Sequence, residues 1–267
     1  MALELRDVTC RYPGQTDPLL RNLSLSVEKG SFTMLLGSNG AGKSSILSLL
    51  TGRLKPESGA AFCDGTEIPA LPPRSRAVKI ATVFQNTEHL PDFTVGELVM
   101  LGRNPYRPRF GAPSAEDCRI VADVLERMAL TPFEQRSVLQ LSGGERQRVM
   151  IAAALARQSD YLLLDEPTAA ADPAYRIRLI RILQSLPWHP GILMTTHDIA
   201  AASVFASRIL MLHGGHILAD GPPDSVLTAE NLDKLYGREA VFFLNSAIDK
   251  VSSGVYGHTD EEKDAER

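Results

Sequence analysis

The chain has 267 residues, 44% of them hydrophobic, and a formal charge of −4. That length can bury a sizeable core in one large domain or two small ones, and the acidic balance argues against bulk electrostatic capture of nucleic acid. Cys10, Cys63 and Cys118 lie far apart with no C-x-x-C pair, which argues against a disulfide framework, a zinc ribbon or an iron–sulfur site and fits a reducing cytosol.

The opening residues, MALELRDVTC, carry charge at once and contain no apolar signal core. No run approaches the ~18 apolar residues of a membrane span, so work at a membrane would require another protein as anchor. Residues 3–8 and 23–27 alternate apolar and polar side chains, as half-buried strands do. Residues 32–37, FTMLLG, instead form a continuous apolar run ending in glycine, the pattern of a fully buried parallel strand. GSNGAGKS follows at 37–44, and then a helical period of Ile46, Leu47, Leu49 and Leu50.

The run IATVFQ ends on Gln85. Residues 87–158 contain no comparable buried strand and read as mostly helical, an inserted subdomain. Within them Ile120, Val121, Val124, Leu125 and Met128 share one helix face. YLLLDE at 161–166 and GILMTTH at 191–197 repeat the buried-strand pattern, with polar residues at the C-terminal end. Between them Asp172 is placed as an N-cap, with Pro173 at the first helical position. Strands alternating with helices in this way indicate α/β architecture. Residues 258–267, HTDEEKDAER, read as a solvated tail.

GSNGAGKS matches G-x-x-x-x-G-K-[ST] between a buried strand and a helix. Its glycines let successive N–H groups converge on phosphate oxygens, and the helix adds its positive N-terminus. Lys43 would reach the β- and γ-phosphates and Ser44 would ligate Mg²⁺. Asp165 ends an apolar strand, suited to holding Mg²⁺ through water. Glu166 follows; neighbours on an extended segment point opposite ways, so it is free to address the attacking water. His197 ends the third such strand, where a γ-phosphate contact belongs in an open α/β sheet. Taken singly, His197, Gln85 and Tyr12 fit structural roles equally well.

LSGGE at 141–145 holds a capping box, Ser142 with Glu145, at the start of a helix. Capping does not require Gly143 and Gly144, which free backbone N–H groups at a positive helix end.

These residues together resemble the ATP-binding cassette (ABC) ATPase family from about residue 3 to 240, with the motifs in the family's order. The resemblance implies a P-loop NTPase fold with an N-terminal antiparallel β portion and an inserted helical subdomain. It divides residues 1–245 into a core of about 1–86 and 159–245 and a helical part of about 87–158, with a polar tail at 246–267. It implies ATP and Mg²⁺ as ligands. Tyr12 then matches the adenine-stacking aromatic. Gly37, Ser38, Asn39, Gly40, Ala41, Gly42, Lys43 and Ser44 match the phosphate loop, followed by Ser45. Gln85 matches the glutamine that senses metal and water, and Ser142, Gly143, Gly144 and Glu145 the family signature. Asp165 matches the metal-side aspartate, Glu166 the catalytic glutamate, Asp172 the D-loop aspartate and His197 the switch histidine. The all-alanine stretch before Asp172 departs from the family's usual hydroxyl-bearing loop.

The family implies two cassettes meeting head to tail, each ATP lying on one chain's phosphate loop and under the other's signature. One phosphate loop and one signature make this chain half of such a motor. FTVGELVMLGRNPYRP at 93–108 resembles the ATPases of siderophore, haem and cobalamin importers. That implies a permease dimer contacted through about 86–115, an external substrate-binding protein reached indirectly, and no nucleic acid. The expected place is the cytoplasmic side of the membrane. An exporter ATPase and a soluble ABC module are the alternatives.

Overall fold

The computed structural model describes residues 1–85, 91–108, 111–169 and 171–237. In chain order its strands are β1 (Ala2–Cys10), β2 (Leu20–Glu28), β3 (Phe32–Gly37), β4 (Ser58–Cys63), β5 (Thr66–Glu67), β6 (Ile80–Val83), β7 (Tyr161–Asp165), β8 (Gly191–Thr196), β9 (Arg208–His213) and β10 (His216–Gly221). The α-helices are α1 (Lys43–Leu50), α2 (Pro73–Lys79), α3 (Val95–Met100), α4 (Ala115–Arg127), α5 (Gly143–Ala156), α6 (Pro173–Gln184), α7 (Ile199–Phe205), α8 (Pro223–Val226) and α9 (Ala229–Tyr236).

The strands form two sheets. One is antiparallel, in the order β2-β1-β4-β5. The other has the order β10-β9-β3-β8-β7-β6, parallel throughout except for the edge strand β10. Every residue of β3, β7 and β8 is buried, which is why these strands read as unbroken apolar runs. Their side chains alternate between two cores. Leu35, Leu163, Leu193 and Leu210 meet α1 and the antiparallel sheet, while Met34, Leu36, Leu164 and Met194 meet the helices on the other face. In β1 the inward set changes phase from Leu3 and Leu5 to Val8 and Cys10. A register shift between Leu5 and Val8, with Asp7 at φ 51°, absorbs the extra residue.

The regular elements among the described residues between 91 and 158 are all helices, apart from an isolated bridge between Thr94 and Ser137. The expected face of α4 is buried, Met128 just after it included, and Ser114 with Asp117 caps its start. Arg103, in the LGRNPY stretch, ties this layer together. Its Nε donates to Asp117 Oδ1 at 2.8 Å, its Nη1 donates to the Ala156 carbonyl at 2.9 Å, and its guanidinium lies 4.1 Å from the Tyr106 ring centroid. That pairing, with help from Ser114, holds the Asp117 carboxyl down at about 2. Gly102 allows the approach, since a Cβ there would stand 2.2 Å from the Ala153 carbonyl oxygen. Within a segment expected to face a permease, Gly102 and Arg103 therefore hold the helical layer together. Leu101 and Tyr106 are exposed large hydrophobic residues of that segment. The expected tail at 246–267 and residues 86–90 lie outside the described residues.

Candidate active site

The phosphate loop leaves β3 at Gly37 and enters α1 at Lys43. Gly40 and Gly42 have φ of 77° and 107°, values that favour glycine. At Gly42 a Cβ would also press to 2.8 Å from Leu20 Cδ2. Ser38, Asn39 and Gly40 are exposed, and a Cβ on Gly40 would meet nothing within 4 Å. The result is an open backbone arch at a helix N-terminus with one cation beside it, which fits a polyphosphate.

That cation is Lys43, whose side chain is 6% exposed. Its Nζ donates to the carbonyls of Gly37 at 2.7 Å and Ser38 at 3.2 Å and lies 3.5 Å from Glu166 Oε1. Burial pushes the ammonium below the ordinary lysine range, and the Glu166 charge opposes the shift. Ser44 is exposed at the first turn of α1. Tyr12 reaches the same turn, with its Oη 3.0 Å from Ser45 Oγ. The structure thus brings Tyr12, the loop and Ser45 together.

Asp165 ends β7, buried, and Thr195 stands directly opposite it in β8. The Thr195 hydroxyl donates to Asp165 Oδ1 at 2.8 Å and accepts the Glu166 N–H at 2.8 Å. Glu166 does not continue the strand. Its φ is 47°, so the alternation of an extended segment does not separate the two carboxylates; a left-handed step held by Thr195 does. The Glu166 carboxylate then lies between two side-chain nitrogens, with Oε1 2.5 Å from His197 Nε2 and 3.5 Å from Lys43 Nζ. Thr195 is the residue that sequence reasoning missed. Its signal was the first polar position in GILMTTH, unreadable without the register.

Glu166 forms part of the wall of two clefts. One, of about 270 Å³, is lined with Thr168, Arg176, Thr196, His197 and Asp198 among others. The other, of about 540 Å³, is lined by Gln85, by Ser142 to Glu145, and by Asp172 and Tyr175. Gln85 and the LSGGE turn therefore face Glu166 across one cleft within the chain. Ser142 caps α5 with Glu145 as expected. The Asp172 carboxylate accepts the Tyr175 N–H at 2.9 Å and caps α6. The D-loop stretch is described except for residue 170.

For a metal ion, no cluster of three or more His, Cys, Asp or Glu side chains exists among the described residues. The donors expected from the sequence, Ser44, Asp165 and the exposed Gln85, are few, as would suit an ion that brings phosphate oxygens with it. No helix among the described residues is long and apolar enough to cross a membrane.

Comparison with known proteins agrees with this fold. The ABC transporter family model matches residues 20–169. The Petrobactin import ATP-binding protein YclP of Bacillus subtilis (strain 168) is 33% identical over 256 residues, 95% of this chain and 99% of that protein. The Hemin import ATP-binding protein HmuV of Enterobacter cloacae is 39% identical, with 87% and 89% covered. Among solved structures, a dimeric bacterial ABC transporter cassette aligns with a TM-score of 0.75 at 31% identity, covering 83% of this chain and 98% of that one. A transporter assigned to the metal-chelate type, in an inward-facing conformation, aligns at 0.74 and 28%, covering 88% of each chain. The chain belongs to the ABC transporter family, among its ATP-binding, ATP-hydrolysing cassettes.

Proposed function

We propose that this chain is the ATPase subunit of an importer that takes up a metal chelate of the siderophore, haem or cobalamin type through a separate permease. Supporting the substrate class are relatives named for petrobactin, hemin, ferric enterobactin and iron(3+)-hydroxamate transport. The observation that carries the catalytic reading is the Glu166 carboxylate held between Lys43 and His197.

In this reading the arch from Gly37 to Ser44 binds the phosphates, Tyr12 stacks on the base, and Ser44, Asp165 and Gln85 hold Mg²⁺. Mg²⁺ neutralises phosphate charge when bound. Glu166 Oε1 accepts a hydrogen bond from the attacking water and takes its proton as the water oxygen bonds to the γ-phosphorus and the bond to the leaving ADP oxygen breaks. His197 and Lys43 keep that carboxylate aimed before turnover. Two copies act head to tail, with Ser142, Gly143 and Gly144 of one covering the nucleotide of the other. ATP closes this dimer, product release reopens it, and the permease follows the movement.

The permease would meet the segment around 86–115 and the adjoining cleft of about 520 Å³ formed by α2, β6 and α5. Arg53, Arg76 and Arg157 line that cleft, and none pairs with a carboxylate among the described residues. An acidic permease segment fits there, and the cassette would thereby sit on the cytoplasmic face of the membrane. Vesicles carrying the cassette with its co-purified permease test the proposal. ATP-dependent uptake of ferric siderophore, haem or cobalamin is expected; export, or no transport of any of the three, contradicts it.

A further inference from the structure

Ser142 opens α5 with its hydroxyl already committed. Its Oγ lies 2.7 Å from Glu145 Oε2, and an ionised carboxylate can only accept, so the serine proton points at Glu145. The Ser142 N–H donates to the same Oε2 at 2.8 Å, and the Glu145 N–H donates back to Ser142 Oγ at 3.3 Å. Both donors that Ser142 could offer an incoming anion thus face a carboxylate. The contacts with Ser142 hold the Glu145 carboxyl below the ordinary glutamate range, so it is charged at neutral pH.

The glycines beside it are open, and a Cβ at Gly143 or Gly144 would meet nothing within 4 Å. The turn therefore sends two opposed signals to a phosphate. Free N–H groups at the positive end of a 14-residue helix attract it. A fixed negative charge one hydrogen bond behind Ser142 repels it. Arg148 and Arg136 are the nearby cations that temper this charge.

We infer that Glu145 is a positioning residue that loosens the signature turn's hold on ATP, keeping the Ser142 hydroxyl in a resting contact that the γ-phosphate must break. The closed dimer is thereby easy to reopen. This rests on the reading that Ser142 to Gly144 cover the nucleotide of a second copy. A capping box alone accounts for the hydrogen bonds, but glutamine caps as glutamate does, so Glu145→Gln keeps the turn and removes only the charge.

The test uses the full chain carrying Glu166→Gln to arrest hydrolysis, with and without Glu145→Gln, and follows dimerisation by sedimentation while ATP-Mg²⁺ is titrated. Removing the charge is expected to lower the ATP concentration for half-dimerisation about fivefold at low salt, and by less at about 0.5 M salt. In the chain with Glu166 intact, Glu145→Gln is expected to lower both the KM for ATP and kcat, because reopening slows. An ATP requirement that is unchanged or higher, or a gain that ignores salt, overturns the inference while leaving the shared site standing. If the Glu166→Gln chain forms no ATP-dependent dimer at any concentration, the shared site itself fails and the role of Glu145 fails with it.

Discussion

Thr195 and Asp165 face each other across neighbouring parallel strands, and the threonine hydroxyl donates to Asp165 Oδ1 at 2.8 Å. The threonine's own oxygen, Thr195 Oγ1, accepts the N–H of Glu166. One buried hydroxyl therefore sets both acids, Asp165 directly and Glu166 through its backbone.

Thr195→Val removes this bridge while keeping the shape of the side chain. It leaves the buried Asp165 oxygen and the Glu166 N–H short of a partner, a loss of about 1–3 kcal/mol in stability. The ATPase kcat is expected to fall by roughly tenfold or more, because Glu166 is no longer aimed. KM for ATP should stay within a few-fold, and Thr195→Ser should restore kcat. Steady-state kinetics on the three proteins check this, and a KM effect without a kcat effect would contradict it.

Glu166→Gln keeps the volume and a hydrogen-bond acceptor but cannot take a proton. Turnover is expected to drop by about 10²–10⁴ with nucleotide binding intact, and ATP should drive the chain into dimers. Near-normal hydrolysis in this variant would remove Glu166 from its assigned role.

Lys43→Ala deletes the cation buried against the phosphate loop. With charge-assisted hydrogen bonds at about 1.5–3 kcal/mol, ATP affinity is expected to fall about 10- to 100-fold by equilibrium binding. Unchanged affinity would contradict the cradle.

Asp117→Asn breaks the pair with Arg103, whose two side chains are each 7% exposed. A buried guanidinium without its counterion is expected to cost about 3–5 kcal/mol in denaturant unfolding. The pH dependence has a fixed sign. Asp117 is held at about 2 in the fold against about 3.9 in an unfolded chain. Its contribution is therefore complete above pH ~4 and lost as pH falls toward about 2. Wild type should lose stability over that window by more than Asp117→Asn does.

The parts of the fold legible in the sequence were those written in consecutive residues. FTMLLG is β3 residue for residue, Asp172 and Ser142 cap the helices they were expected to cap, and the phosphate loop stands between a buried strand and a helix. What was not legible depends on pairings between distant segments. Thr195 matters because the register sets it opposite Asp165, 30 residues earlier. Glu166 adopts a left-handed backbone that alternation could not foretell. Arg103 was read as part of a partner-facing segment because nothing local marks it as buried; its acid lies 14 residues on, in the first turn of α4.

A mixed dimer reveals whether the nucleotide site is shared between two chains. One subunit carries Ser142→Arg and the other Lys43→Ala, both in a Glu166→Gln background, and trapped ATP is counted per dimer. In the mixed dimer both lesions fall on one composite site and the other site keeps an intact Lys43 and an intact Ser142. A shared site retains one ATP per mixed dimer and none in either homodimer. Equal retention in all three, or none in the mixed dimer, would contradict it.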